Sequence, residues 1–353
     1  MFASSLPETS ISRPSDQGAE VSVMSSQPLL FLDAFLAPLA EPLLRPDVTD
    51  VYINRPGEIW LETQHGIERH QDNRLDDAAL WRLSRQIAAA TDQGISREHP
   101  LLAATLPSGA RVQVCAPPAT RGNVAIAVRK HVVPDLSLDD YEKAGAFSRV
   151  GEAALSQRSA DAALKQMLDA GNIGGFLAAA VKARKSILIS GGTATGKTTL
   201  LNALLKEAPH DERIVLIEDT PEIQLAHENA VGLVAVRGRL GEATVSAADL
   251  LEAALRLRPD RIIMGEIRGV EALSFLRAVN TGHPGSITTI HASSPDGAIE
   301  QLALIAGQAG TDLRRAELRA YILSVIDIFV QLGRSDGARL VTEIKFETGS
   351  DLA

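Results

Sequence analysis

The stretch GGTATGKT (191–198) indicates the architecture of the second half of this chain. It fits the phosphate-loop pattern G-x-x-x-x-G-K-[ST], directly follows an apolar strand, SILIS (186–190), and opens a helical segment, KTTLLNALLKEA (197–208). Glycines let successive backbone N–H groups face one concavity, and a helix N-terminus adds partial positive charge. A glycine-rich turn that binds nothing is the alternative, and the strand, loop and helix in register disfavour it.

The loop therefore predicts a site for a nucleoside triphosphate. Lys197 can reach the β- and γ-phosphates, and the hydroxyl of Thr198 can hold Mg²⁺. The residues predicted to form the cradle are Gly191, Gly192, Thr193, Ala194, Thr195, Gly196, Lys197 and Thr198.

Length and composition limit the class of protein. A chain of 353 residues with 45% hydrophobic residues is expected to form two globular domains. A net charge of −9 disfavours a nucleic-acid groove as the main function, because such a surface usually carries a basic excess. The single cysteine, Cys115, excludes an internal disulfide framework and a multi-cysteine zinc module, and fits a reducing cytoplasmic setting.

The first part of the chain is predicted to be a leader followed by a helix. Residues 1–28 are rich in Ser, Pro, Thr and Gln, so we expect them to be disordered. The segment LLFLDAFLAPLAEPLL (29–44) is interrupted by Asp, Glu and Pro and falls short of the ~18 apolar residues of a membrane span. A helix packed on the N-terminal domain is favoured over a membrane-surface anchor.

Residues 29–146 are predicted to form an α+β domain, and residues 147–160 a linker. The domain is expected to contain a short helix in LSLDDYEKAGAF (136–147), with Ser137 as its N-cap. Its other predicted elements are the strands DVYIN (50–54), EIWLE (58–62), ARVQVC (110–115) and VAIAVRK (124–130), and a helix in LDDAALWRLSRQIAAATDQ (75–93).

Residues 161–353 are predicted to form an α/β domain with a mainly parallel sheet. The apolar runs RIVLIE (213–218), RIIMGE (261–266) and GSITTIHA (285–292) alternate with helical segments, as in a sheet buried on both faces. VIDIFVQL (325–332) and ARLVTEIKFE (338–347) are expected to form an antiparallel hairpin at the edge.

Polar residues flank these strands, and ligands of such sheets bind at the carboxyl ends of the strands. Glu218 and Asp219 follow one strand, Glu266 and Arg268 follow another, and His283 and His291 flank a third. We expect them to converge on one rim. The alternatives are a turn or N-cap for the first pair and ordinary loop or sheet-end positions for the histidines.

Four blocks in this order carry a family resemblance: the phosphate loop, IEDTPEIQL (217–225), RIIMGEIRG (261–269) and NTGHPGSITTIHAS (280–293). They resemble the Walker A, Asp box, Walker B and His box of the bacterial secretion ATPase superfamily. VTDVYINRPGEIW (48–60), LPSGARVQVCAPP (106–118) and SLDDYEKAGAF (137–147) are similar to its conjugal-transfer branch, the hexameric traffic ATPase of type IV secretion systems.

The resemblance implies a RecA-like P-loop C-terminal domain, with ATP and Mg²⁺ as cofactors. Thr199 would help hold the α-phosphate, and Thr198 and Glu266 would lie near the metal. Glu218 corresponds to the Asp-box glutamate that polarises the attacking water. The Walker B block has no aspartate at its strand end, so the division of roles between Glu218 and Glu266 stays open.

The resemblance also implies how hydrolysis would be coupled to movement. His283 and His291 correspond to the His box, which links nucleotide state to motion. Arg111 and Arg129 correspond to arginines that the N-terminal domain brings onto the γ-phosphate; solvated strand ends are the alternative. Arg268 completes the catalytic candidates.

The function implied is ATP hydrolysis by a homohexameric ring that powers substrate translocation or pilus assembly. The ring would be peripheral at the cytoplasmic face of the inner membrane, beside other inner-membrane ATPases and coupling proteins, with nucleic acid only as possible cargo. A tight-adherence type IV pilus ATPase is the alternative. The single cysteine disfavours the type II secretion branch, and the lack of an Asn-Lys-x-Asp run disfavours a GTPase. The acidic composition and the 4% of aromatic residues disfavour a helicase. A scaffold that binds ATP without hydrolysing it stays open.

Overall fold

The computed structural model describes residues 27–130, 136–236 and 242–347, so the predicted leader at 1–28 lies almost wholly outside the described residues. Its first part runs α1 Gln27–Leu44, β1 Val48–Ile53, β2 Glu58–Thr63, β3 Gly66–Gln71, α2 Asp77–Ala89, β4 Leu101–Thr105, β5 Arg111–Cys115 and β6 Ala125–Arg129. Three helices follow: α3 Leu138–Lys143, α4 Glu152–Asp169 and α5 Ile173–Lys182. The last part runs β7 Ile187–Gly191, α6 Lys197–Leu205, β8 Ile214–Glu218, β9 Ala230–Val234, α7 Ala247–Arg256, β10 Arg261–Met264, α8 Glu271–Asn280, β11 Ile287–Ile290, α9 Pro295–Gly307, α10 Arg315–Val325, β12 Ile328–Ser335 and β13 Ala338–Phe346.

The first sheet is antiparallel, with strand order β3-β2-β1-β6-β5-β4. Helices α1 and α2 cover one face, where Leu32, Leu39 and Leu80 join Val51 and Ile53 of β1 in one buried cluster. The helix predicted at 29–44 is confirmed as a helix packed on this sheet. Strand β3 was not predicted, because its residues are nearly all exposed and carry no apolar alternation.

The connection between the two sheets is mainly helical. Ser137 caps α3 as predicted, in a capping box with Asp140. Helix α4 starts at Glu152, inside the segment 147–160 that was predicted as a linker. The domain boundaries drawn from the sequence stay predictions.

The second sheet has strand order β13-β12-β7-β11-β10-β8-β9. The strands from β12 to β9 are parallel, and β13 pairs antiparallel with β12, as the predicted edge hairpin requires. Strands β7, β8, β10 and β11 are buried along their whole length, which explains their unbroken apolar sequences. Strand β9 (AVGLV) was not predicted; a glycine in the middle of a short apolar run weakens the strand pattern.

The two sheets contact each other within the chain. Tyr52, Trp60 and Cys115 of the first sheet join Leu233 of β9 and Leu250 of α7 in one buried cluster. The segment after β5 also pairs with β9 through its backbone, with Val234 N donating to Ala119 O at 2.9 Å. The face of the first sheet opposite α1 and α2 therefore packs on the second half of the chain.

No helix within the described ranges is both long enough and apolar enough to cross a bilayer.

Candidate active site

The phosphate loop lies between the end of β7 and the start of α6. Gly196 precedes α6 with φ +97°, a left-handed conformation that favours glycine. At Gly191, a Cβ would lie 2.5 Å from Oγ1 of Thr195 and 3.0 Å from the carbonyl oxygen of Leu332, so only glycine fits there. These two glycines allow the tight loop whose N–H groups form an anion cradle at the helix start.

A cavity of about 450 Å³ opens beside this loop. It is lined by Thr193 to Thr199 of the loop and first helical turn, by residues at the ends of β8, β10 and β11, and by Arg339 of β13. The residues from the strand ends include Glu218, Asp219, Glu266, Arg268, Thr289 and His291. The position fits the rule that ligands of parallel sheets bind at the carboxyl ends of the strands.

The Lys197 side chain lies over the loop backbone. Its Nζ donates to the carbonyl oxygens of Gly191 at 3.0 Å and Gly192 at 3.2 Å, and lies 3.4 Å from Nδ1 of His291. Burial lowers the pKa of Lys197 below its ordinary value, while the charge of Glu266 opposes that effect. A phosphate in the cradle would supply the anionic partner that this ammonium needs.

Glu218 ends β8 and is only 4% exposed. Its Oε1 accepts from the backbone N–H groups of Glu222 at 2.9 Å and Ile223 at 2.8 Å. Its Oε2 accepts from the guanidinium of Arg121, which lies on the segment between β5 and β6. The carboxylate is therefore held in one orientation at the wall of the cavity.

Glu266, Arg268 and His291 form a connected group at the same cavity. Arg268 pairs with Glu266 and also with Asp219, where Nη1 lies 3.0 Å from Oδ2. Burial lowers the pKa of Arg268, but Glu266 and Asp219 raise it more, so the guanidinium stays charged. Asp219, which follows β8, and Glu266, which follows β10, thus share one cation.

The oxygen atoms of Glu266 and Thr198 beside the loop fit a nucleotide-bound Mg²⁺. Oε1 of Glu266 is buried and has no hydrogen-bond partner, although Nε2 of His291 lies 2.9 Å from it. The Thr198 hydroxyl makes only a long contact, 3.4 Å, to Glu222. Over the described ranges no group of three or more His, Cys, Asp or Glu side chains is arranged for a metal. Mg²⁺ bound with phosphates does not require one, because it takes one or two protein ligands and keeps several waters.

His283 does not lie at this cavity, so the expectation that both histidines converge on one rim is wrong. His283 precedes β11, and its Nδ1 lies 2.9 Å from the carbonyl oxygen of Ala278. Residues before a parallel strand lie at the opposite edge of the sheet from residues after it, where His291 is found.

Arg111 and Arg129 also lie away from the phosphate loop of their own chain. They are cross-strand partners on β5 and β6, and both line a separate cavity of about 570 Å³. Arg256 and Arg258 line the same cavity, which makes it rich in positive charge.

Sequence reasoning missed two arginines, one that lines the cavity and one that contacts a residue of its lining. Arg121 belongs to the first half of the chain and reaches Glu218, while Arg339 comes from the edge hairpin and lies next to Gly196, its Cδ 3.2 Å from where a Cβ of Gly196 would stand. Their position depends on how the halves and the hairpin pack, so no local pattern marks them. The only available signal was their charge.

Comparison with known proteins gives one family throughout. The sequence profile of the family described as "Type II/IV secretion system protein" matches residues 36–334. The type IV secretion system protein VirB11 of Bartonella henselae is 36% identical over 326 residues, covering 88% of this chain and 92% of that protein. The type IV secretion system protein PtlH of Bordetella pertussis is 39% identical over 331 residues, covering 90% and 96%.

A solved structure agrees with the sequence relatives. The VirB11 ATPase from the Brucella suis type IV secretion system, crystallised in complex with sulphate, superposes with a TM-score of 0.86 at 34% identity, covering 92% of this chain and 96% of that one. With a phosphate loop, two strand-end carboxylates and similarity over almost the whole length, the chain belongs to the type II/IV secretion system protein family, as an ATPase of the type IV secretion branch.

Proposed function

We propose that this ATPase works as a homohexameric ring that converts ATP hydrolysis into movement of its two halves. Such a ring would drive substrate transfer or pilus assembly at the cytoplasmic face of the inner membrane. Similarity to an ATPase of a type IV secretion system supports the proposal, as does the ion pair that joins Glu218 of the cavity to Arg121 of the first half of the chain. A heterologous interface that closes on itself is the kind that forms a ring.

Within the site, the loop amides and Lys197 bind the phosphates, and Glu218 orients the water that attacks the γ-phosphorus. The bond between the γ-phosphorus and the bridging oxygen breaks, giving ADP and inorganic phosphate. Glu266 and Thr198 would hold Mg²⁺, which supplies charge neutralisation at the β- and γ-oxygens. Arg268 keeps Glu266 and Asp219 in place through its two ion pairs.

Arg111 and Arg129 would act on the nucleotide of a neighbouring subunit. The cavity that they line shares no residue with the nucleotide cavity of the same chain. Two guanidinium groups on one face of a sheet suit a transferring phosphoryl group, whose negative charge grows during the reaction. His283 would contribute through the packing of its loop, since it does not lie at the cavity.

The partners proposed for the ring are other ATPases and coupling proteins of the secretion machine at the inner membrane. The ring would associate with the membrane only peripherally, and DNA would bind only as cargo. Similarity to secretion-system proteins that span nearly the same length supports this assignment.

The observation that carries the proposal is the buried, oriented Glu218 carboxylate, which lines the same cavity as the phosphate loop. Steady-state ATP hydrolysis tests it: Glu218→Gln should lower kcat roughly 100-fold or more while nucleotide affinity is kept, as for a lost general base. Lys197→Ala should abolish nucleotide affinity, measured by fluorescent ATP binding.

Glu207→Gln is the control, because the Glu207 side chain is 42% exposed and pairs only with Lys182, at 3.4 Å, among the contacts described. Near-parental kcat in Glu218→Gln would contradict the role of Glu218. Failure of the parental protein to sediment as a ring with nucleotide would contradict the hexamer.

A further inference from the structure

The segment between β5 and β6 is docked on the edge strand of the second sheet. Arg121 N donates to Gly232 O at 3.1 Å, Val234 N donates to Ala119 O at 2.9 Å, and Thr120 forms an isolated bridge with Leu233. Val234 is in turn the register partner of Glu218 on β8. The backbone of Arg121 is therefore fixed one strand away from the proposed catalytic carboxylate.

Gly232 provides the space that the Arg121 side chain occupies. A Cβ at Gly232 would stand 2.5 Å from Cδ, 2.9 Å from Nε and 3.0 Å from Cγ of Arg121. Contacts this short involve the middle of the side chain, so any larger residue would force Arg121 to move. The glycine that weakens the β9 pattern thus makes room for this arginine.

The guanidinium of Arg121 completes the hydrogen bonding of Glu218. The two backbone N–H groups occupy both lone-pair positions of Oε1, and Arg121 takes one of the two on Oε2. One acceptor position remains for a water. Arg121 itself does not line the nucleotide cavity.

We propose that Arg121 is the positioning residue for Glu218: it holds the carboxylate in the orientation that hydrolysis needs, and it links the first sheet of the chain to the hydrolytic step of the same subunit. This inference rests on the proposed role of Glu218. A buried carboxylate that loses its cation is left as an uncompensated charge and reorients. Arg121 therefore acts on turnover and not on nucleotide binding.

The first test is the division between kcat and KM. Arg121→Ala should lower kcat roughly 10- to 100-fold, by analogy with partners that orient metal ligands, with KM for ATP and fluorescent-ATP affinity unchanged. Arg121→Lys should recover most of the loss, because the contact uses a single guanidinium nitrogen and Lys keeps the charge.

Arg97→Ala is the matched control. Arg97 also lies in the first half and pairs with a carboxylate of the second half, Glu242, but this pair is exposed, at 58% and 59%, and does not involve Glu218. An exposed pair of this kind contributes little, so kcat should stay parental.

The second test is a double-mutant cycle that asks whether Arg121 acts through Glu218. In a Glu218→Gln background, Arg121→Ala should cause little further loss, because the group that it positions is already disabled. Gly232→Ala should lower kcat in the parental chain by displacing Arg121, and should have no effect when Arg121 is already alanine. All variants are compared at equal nucleotide-binding capacity and equal oligomer mass, which separates positioning from misfolding.

The outcomes distinguish failure of the positioning role of Arg121 from failure of the function proposed for Glu218. Parental kcat in Arg121→Ala together with a large loss in Glu218→Gln overturns the positioning role alone. Parental kcat in Glu218→Gln overturns the proposed function of that carboxylate. An equal loss from Arg121→Ala in both backgrounds, or a gain in turnover, also overturns positioning, because the arginine would then act structurally or as a brake.

Discussion

Buried ionic residues lie at the edge of the second sheet opposite the nucleotide cavity. There, contacts of single side chains contribute to the stability of the fold. Arg261 is 0% exposed and pairs with Glu212, and Arg213 lies 3.9 Å over the ring of Tyr52 and donates to Asn54. Burial lowers the pKa of Arg213 to about 10. Because a buried charge without a partner is costly, these residues are sensitive to loss of the group that faces them.

Glu212→Gln should destabilise the protein by about 3–5 kcal/mol, the usual effect of breaking a buried pair and leaving Arg261 uncompensated. Burial raises the pKa of Glu212, but Arg261 and Arg184 lower it more, so its net pKa lies below the ordinary value. A group with a depressed folded pKa stabilises above its unfolded pKa, and the contribution is lost as pH falls through the folded pKa. The difference between parent and variant should therefore be full at neutral pH and shrink in acid.

Denaturant unfolding at several pH values measures this difference. The control is Glu252→Gln, whose side chain is 68% exposed and pairs with Arg256 on the surface of α7. That variant should stay within about 0.5 kcal/mol of the parent. A comparable loss in both variants would argue against the buried pair as the cause.

At the scale of elements, the edge hairpin contributes to the nucleotide site. Strand β12 extends the parallel sheet beside β7, and β13 returns antiparallel and brings Arg339 to the cavity next to the loop glycine Gly196. The hairpin therefore adds the positive charge of Arg339 to that of Lys197 in the phosphate loop.

Arg339→Ala should weaken ATP binding roughly fivefold, because a charge pair at about 4 Å in water contributes about 1 kcal/mol. The effect should decrease as salt is raised, since an exposed charge is screened. Titration with fluorescent ATP at low and high salt measures it. Lys345→Ala is the control on the same strand, where the ammonium pairs with Asp296 and Glu347 away from the cavity; equal weakening in both variants would mean that the hairpin acts through general charge alone.

At the scale of the whole molecule, four arginines line one cavity beside β5, β6 and α7, although the chain is acidic overall. The nucleotide cavity is a separate one, lined by both cations and carboxylates. Since these cavities are separate within one chain, the proposed clamp by Arg111 and Arg129 requires a second subunit.

Mixed assemblies test this requirement. Lys197→Ala subunits keep both arginines but lack the phosphate contact, and subunits with Arg111→Ala and Arg129→Ala have the reverse defect. If the arginines act between subunits, mixing the two should restore ATP hydrolysis above the sum of the separate preparations. Mixing Lys197→Ala with Glu218→Gln is the control, because Lys197 and Glu218 line the same cavity of one chain and neither subunit then has an intact site. If ATP hydrolysis does not recover in the first mixture, the arginines act within one chain or take no part in the reaction.

Local stretches of the chain predict the phosphate loop, the alternation of buried strands and helices, and the edge hairpin, since these features depend on neighbouring residues. The strand ends also predicted Glu218, Glu266, Arg268 and His291 at the cavity, because residues that follow parallel strands meet at one edge. The same rule, applied to strand direction, could have placed His283 at the other edge.

Which distant residues meet depends on how the chain folds. Strand β9 has a weak local pattern, yet it pairs with β8 and receives the segment that carries Arg121. Arg339 reaches the phosphate loop because the hairpin lies beside β7, while Arg111 and Arg129 face a different cavity because of how the two sheets pack. Contacts between residues far apart in the chain depend on strand order and packing, and these are properties of the folded chain that no local stretch encodes.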